Sequence, residues 1–192
     1  ALIFHRTITA FNRKAIIVGH ETDSANNLFD MTKRYYENLD PAVQPALEHS
    51  NEKKVSFLKL KSEIRIASAD VGGTLKRSDT IQDLHITELA FWRAPKVSLL
   101  ALLQTVPDEG DTLVVIESTG NGIGGEFYDR WKDAKAGKSD YIPLFFAWFD
   151  LPEYSKVFVN DQEKKTFEKS LDSEEKSVKV GVADPSEVKF TW

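Results

Sequence analysis

The chain has no cysteine in its 192 residues, which excludes disulfides, thiolate metal sites and cysteine nucleophiles. It also lacks any apolar run of the roughly eighteen residues that a membrane-spanning helix needs. The opening Ala-Leu-Ile-Phe-His-Arg has neither the charged start nor the long apolar stretch of a secretion signal. An excess of positive charge is missing as well. The formal charge of -5 argues against a free-standing domain that grips DNA by bulk electrostatics, although a protein that touches DNA through a few local groups stays compatible with it. What is present is 41% hydrophobic residues with 11% aromatics, enough for one sizeable core. These features together predict a soluble, intracellular globular domain.

Residues Ala1 to Thr9 carry Leu2, Ile3 and Ile8 with no capping residue ahead of them, as a helix entered part-way would. Lys14 to Gly19 is a short continuous apolar run, the pattern of a strand buried on both faces of a parallel sheet. Thr22, Asp23 and Ser24 offer N-caps to a helix with Ala25, Leu28, Phe29, Tyr35, Tyr36 and Leu39 on one side, ended by Pro41. Val55, Phe57, Ile64 and Ile66 alternate with polar residues and predict a hairpin at a sheet edge with one wetted face. After Gly72-Gly73 a third run spans Leu84 to Phe91, followed by a helix from Pro95 with Val97, Leu100, Leu103 and Val106 facing inward. Leu113 to Ile116 predicts a further buried strand. A glycine-rich turn leads to a helix carrying Phe127, Tyr128, Trp131 and Ala134, and Tyr141 to Phe149 reads as another apolar strand. Strands alternating with helices predict an α/β fold with a mostly parallel sheet covered on both faces. From Val159 to Val180 the charged composition predicts an exposed helix or a linker.

Two segments could carry chemistry. In Asp83-Leu84-His85-Ile86-Thr87-Glu88 an apolar strand ends in a carboxylate, at the end of the strand where open parallel sheets place their ligands. Glu88 is then either a general base that orients and deprotonates a water, with its strand neighbour helping to hold a metal ion, or a strand-end residue facing solvent. His85, in mid-strand, is expected to be packed, since no second ligand stands at metal-binding spacing. The other segment is Glu117-Ser118-Thr119-Gly120-Asn121-Gly122-Ile123-Gly124-Gly125. Its Gly120, Gly122 and Gly125 meet the G-x-G-x-x-G spacing, which admits a dinucleotide-binding oxidoreductase using the Gly120–Gly125 loop. The glycines serve equally well in a turn that needs positive φ, and Glu117 puts a carboxylate where a pyrophosphate would come.

Taken together, the phrases His85-Ile86-Thr87-Glu88-Leu89-Ala90-Phe91-Trp92 and Glu117-Ser118-Thr119-Gly120-Asn121-Gly122, then Gly124-Gly125-Glu126-Phe127-Tyr128, resemble the terminase large subunit family, the ATPases that drive DNA into phage capsids. The similarity runs from the Lys14 strand to about Pro152, with Gly73 to Thr80 resembling the basic stretch ahead of the family's Walker B strand.

The resemblance implies a three-layer P-loop NTPase-type domain over residues 1–152, incomplete at its N-terminus, and a charged linker or lid over residues 153–192. It implies ATP and Mg2+ as cofactors and Glu88 as the glutamate that activates water. Ser118, Thr119 and Asn121 would form the coupling motif that senses the γ-phosphate. Thr87 takes the place where many ATPases have a magnesium-binding aspartate, and its hydroxyl brings no charge to that task. Implied partners are duplex DNA, a small terminase subunit and the capsid portal, on which the protein would oligomerise, in the cytoplasm of a bacterial host of a phage or prophage. An arginine finger is expected, with Arg6, Arg13, Arg77 and Arg93 as candidates, while Lys59, Lys61 and Arg65 form either a DNA contact or an exposed strand face. One family hallmark is missing: no G-x-x-x-x-G-K-[ST] P-loop occurs in the sequence, and Gly73-Thr74-Leu75-Lys76-Arg77-Ser78 lacks the second glycine. The expectation is that residue 1 lies within the helix after that loop and that a nuclease domain would begin near Trp192. A non-catalytic prophage remnant is the third alternative.

Overall fold

The computed structural model describes residues 1–69, 80–147, 155–173 and 188–190. The stretch around Gly72-Gly73, including Lys76 and Arg77, lies outside them. The chain divides into two compact units, residues 1–140 and 141–192. Among the described residues no helix is long and apolar enough to cross a membrane.

The first unit is built on a six-stranded, mostly parallel mixed sheet. Its strands are β1 (Lys14–Gly19), β2 (Leu47–Ser50), β3 (Lys54–Phe57), β4 (Ser62–Ser68), β5 (Asp83–Ile86) and β6 (Leu113–Ile116), in the spatial order β2-β3-β4-β1-β5-β6. β1 lies between β4 and β5 and is parallel to both, β6 extends β5 in parallel, and β2, β3 and β4 form an antiparallel meander. The apolar run of β1 is explained by its place in the sheet, because alternate residues serve two cores. Ala15 and Ile17 pack with Ile3 and Phe4 of α1 (Leu2–Ile8), Ala25 and Phe29 of α2 (Thr22–Glu37), and the strand residues Val55, Phe57, Ile64 and Ile66. Ile16 and Val18 pack with Leu84, Ile86, Leu89, Trp92 and with Leu99 and Leu102 of α3 (Pro95–Leu103). The partly buried Phe127 of α4 (Gly125–Lys135) adds to this second core. Helices thus cover both faces of the sheet.

Several expectations need correction. α2 begins at Thr22 with Glu21 as N-cap and no side-chain cap, so Thr22, Asp23 and Ser24 form its first turn and do not precede it. The β3–β4 hairpin is not the edge. β2, exposed along its length, covers β3, and Ser56, Ser62 and Glu63 are buried. Glu63 is tolerated there because Lys54 Nζ lies 2.6 Å from it and Arg65 pairs with it too. The run from Leu84 stops as a strand at Ile86, and Leu89–Phe91 forms a 3-10 turn. In α3 the buried side chains are Leu99 and Leu102, while Val97 and Leu100 are exposed; only Leu103 and Val106 of the expected face pack inward. β6 is half-buried along its length, as the end strand of the sheet, not fully enclosed. Residues 141–147 form no strand, and Ile142, Leu144, Phe145 and Phe146 are exposed; Phe149 lies outside the described residues.

In the second unit, β7 (Ser155–Val157) pairs antiparallel with β8 (Val188–Phe190). The charged stretch is in part a helix, α5 (Asp161–Ser170), started by a reciprocal cap. Asn160 Oδ1 accepts from the Glu163 N–H at 2.9 Å, and Glu163 Oε2 accepts from the Val159 N–H at 2.8 Å.

At the amino end of β5, Asp83 is fully buried and its Oδ1 accepts from Arg6 Nε and Arg13 Nη1, both at 3.0 Å. Asp111 closes the cluster, taking Arg6 Nη2 at 3.1 Å and also pairing with Arg13. These arginines tie α1 and the start of β1 to the starts of β5 and β6. Neither is available as an arginine finger at the opposite, carboxyl end of β5. Arg93 is exposed, and no ion pair or hydrogen bond of its side chain is found among the described residues.

Candidate functional site

Chain order and sheet order part company at β1. The chain leaves β1 for β2 at one edge, returns through β3 to β4 beside β1, then crosses to β5 on the other side. In open α/β sheets the crevice outside the strands' carboxyl ends at such a reversal is where ligands bind. Gly19 ends β1 there and His20 follows it, while Thr87 and Glu88 follow β5. Gly19 is required by packing, since a Cβ on it would stand 2.8 Å from the backbone nitrogen of Ala25 in α2.

Glu88 adopts φ 55° and ψ 39°. For a residue with a side chain this left-handed conformation costs about 1–2 kcal/mol, a strain that persists only when neighbouring contacts fix it. Those contacts are present. The Thr87 N–H donates to the Val18 carbonyl at 3.0 Å, the Leu89 N–H to the Glu117 carbonyl at 3.4 Å, and the Phe91 N–H to the Glu88 carbonyl at 2.9 Å. The result turns the Glu88 carboxylate toward the loop after β6. There Oε2 accepts from Ser118 Oγ at 3.3 Å, the Thr119 N–H at 3.4 Å and Thr119 Oγ1 at 3.3 Å. Each bond is long and individually weak, but all three converge on one oxygen. Oε1 receives none among the described residues, which leaves it free to accept a proton from water.

The two loops are joined further along. Ser118 Oγ accepts from the Ala90 N–H at 3.2 Å, and Asn121 Nδ2 donates to the Ala90 carbonyl at 3.0 Å. The structure therefore brings Glu88, Ser118, Thr119 and Asn121 together. Thr87 is used differently. It is buried, and its carbonyl accepts from Trp92 Nε1 at 3.0 Å. Among the described residues no group of three or more His, Asp or Glu side chains could hold a metal ion.

Sequence reasoning treated His85 as packed and gave Glu117 no role. The structure pairs them, with His85 Nε2 3.6 Å from Glu117 Oε1. The signal lay in the register: aligning Leu84–Ile86 with Val114–Ile116 in parallel puts Glu117 beside Thr87 and diagonal to His85. The His85 ring holds the Glu117 carboxyl below its ordinary value; burial opposes this, and the Thr87 hydroxyl reinforces it. A carboxyl whose pKa is lowered on folding stabilises the fold above its unfolded value, and that contribution is lost as pH falls through the folded one. Wild-type protein is therefore expected to lose more stability than Glu117→Gln as the pH falls below about 5. Urea titrations at several pH values check this; parallel curves would remove the pairing.

His20 was also missed, although it directly follows the β1 run. Its ring lies 6.4 Å from that of Phe91, and its buried Nδ1 has no hydrogen-bond partner. The glycine loop uses positive φ at Gly122, Gly124 and Gly125. Residues 117–124 separate the end of β6 from α4, a longer path than the tight turn of a dinucleotide-binding fold, and β6 is not at the reversal point. Of the basic residues considered for DNA, Lys61 lies 3.7 Å from Glu48 and Arg65 pairs with Glu63. No protein-family model matches the chain, and no curated protein matches it.

Proposed function

We propose that this chain is part of the ATPase of a viral DNA-packaging motor, a terminase large subunit, and that Glu88 activates the hydrolytic water. One observation carries the proposal: at the sheet reversal, a strained Glu88 has one carboxylate oxygen anchored by Ser118 and Thr119 and the other without a partner among the described residues. The two phrases that resemble the family meet at this place, although they stand about thirty residues apart. Glu88 would take the water's proton as the water attacks the γ-phosphate. Ser118 and Thr119, both on Oε2, would feel the protonation of the carboxylate at Oε1 and the departure of phosphate, and Asn121 would pass the change to the Ala90 turn. Mg2+ would arrive with the nucleotide's phosphates, whose developing charge it neutralises. Duplex DNA, a small terminase subunit and a capsid portal are the partners this function calls for, in the host cytoplasm.

The 192-residue chain by itself is expected to release almost no phosphate from ATP, because a P-loop would make most of the phosphate contacts and the sequence has none. NAD is expected not to bind. A malachite green assay and calorimetry check the two points. Turnover on the order of one per second by the chain alone would overturn the first, since that is within the range of complete enzymes. Micromolar NAD affinity would favour a dinucleotide enzyme using the Gly120–Gly125 loop.

A further inference from the structure

We propose that Glu117 and His85 are a positioning pair for Glu88: the Glu117 side chain reaches across to His85 on β5 and fixes the turn whose Ser118 and Thr119 hold Glu88 Oε2. The catalytic consequence rests on the ATPase function proposed above; the clamp itself rests on geometry alone.

From Glu117 to Gly124 the chain has no helix or strand, and glycines at 120, 122 and 124 leave it few steric restraints. Two backbone bonds tie the start of this turn to β5 and the turn after it: the Glu117 N–H to the Ile86 carbonyl at 2.9 Å, and the Leu89 N–H to the Glu117 carbonyl at 3.4 Å. The second is long, so the backbone alone is a loose hinge. The Glu117 side chain supplies the sideways restraint. Continuing the register beyond Ile86↔Ile116 puts Glu117 opposite Thr87, with His85 two residues back on the same sheet face. It meets the imidazole, with His85 Nε2 3.6 Å from Glu117 Oε1. Ser118, the next residue, points the other way, to Glu88 and Ala90. A shift at Glu117 therefore moves the donors on Glu88, whereas removing a group that merely fills space would not act selectively there.

Hydrogen exchange on the 192-residue chain, without nucleotide, tests the clamp at the Leu89 and Ala90 amides, which donate to Glu117 O and Ser118 Oγ. Glu117→Ala and His85→Ala are each expected to speed exchange at these amides at least about tenfold, with Ile17 and Val18 of β1 unchanged. Glu117→Gln, which keeps the length of the side chain and an acceptor oxygen beside His85, is expected to change it less than about threefold. Unchanged loop amides, or equal acceleration in β1, would overturn the clamp; should an alanine variant fail to fold, His85→Gln serves in its place with the same expectation. In a P-loop-bearing protein that hydrolyses ATP, Glu117→Ala and His85→Ala are expected to lower kcat at least about tenfold at unchanged KM, with Glu117→Gln restoring most of it. Unchanged kcat would overturn the positioning role. Absence of hydrolysis by the wild-type protein would instead sink the ATPase function and leave the exchange result standing.

Discussion

Asp83→Ala is expected to destabilise the fold by about 3 kcal/mol, while Asp111→Ala costs less than about 1 kcal/mol. Both carboxylates bond the same two arginines, so the difference comes from burial. Asp83 is fully buried, and Arg13 beside it is nearly so; Asp111 is largely exposed. Without Asp83, the Arg13 guanidinium stays in a space closed to water with only the Asp111 side chain and carbonyl to receive it. Arg6, a quarter exposed, can turn outward, and Asp111 can be replaced by water. Urea unfolding of the two variants measures the contrast, and equal losses would mean that the buried cluster does not hold α1 to the sheet.

Glu88→Gln is expected to lower ATP hydrolysis by roughly a hundredfold or more in a protein that also carries a P-loop, with nucleotide affinity within a few fold of wild type. Glutamine keeps the shape and can still accept at one oxygen from Ser118 and Thr119, so the loop contacts survive. What disappears is the charge that takes a proton from water, and the free oxygen becomes an amide nitrogen. Binding and chemistry should therefore separate, with fluorescent nucleotide titration reporting the first and phosphate release the second. A parallel loss of affinity would make Glu88 a binding group, not a base.

How much of this could be read from the sequence depended on how far each feature relied on neighbours. β1 was legible because a strand buried on both faces needs every residue apolar, and Ala15 to Val18 are. β2 was not, since Leu47-Glu48-His49-Ser50 is exposed throughout and carries one apolar residue. The face of α3 was misread because Pro-Lys-Val-Ser-Leu-Leu-Ala-Leu-Leu is apolar nearly all round; Pro95 marks where it starts, and packing against Trp92 and β5 decides its rotation. Residues 141–147 have strand composition but form no strand, and β propensity depends on the neighbours a segment packs against more than on the residues themselves. In the site, Glu88 and the Ser118–Asn121 phrase stood out by residue type and place. The left-handed turn at Glu88 had no glycine to announce it. The His85–Glu117 pair required a strand register, which no single segment contains.

Magnesium-dependent phosphate release, compared between a protein that joins a P-loop to this chain and the same protein with Glu88→Gln, bears most directly on the proposed chemistry. The wild-type protein is expected to turn over ATP on the order of one per second or faster, the range of ordinary enzymes, and the variant at about one hundredth of that or less while still binding ATP. Near-normal hydrolysis by Glu88→Gln would show that this strained carboxylate at the sheet reversal is not the group that activates water, and the proposed mechanism would fall with it.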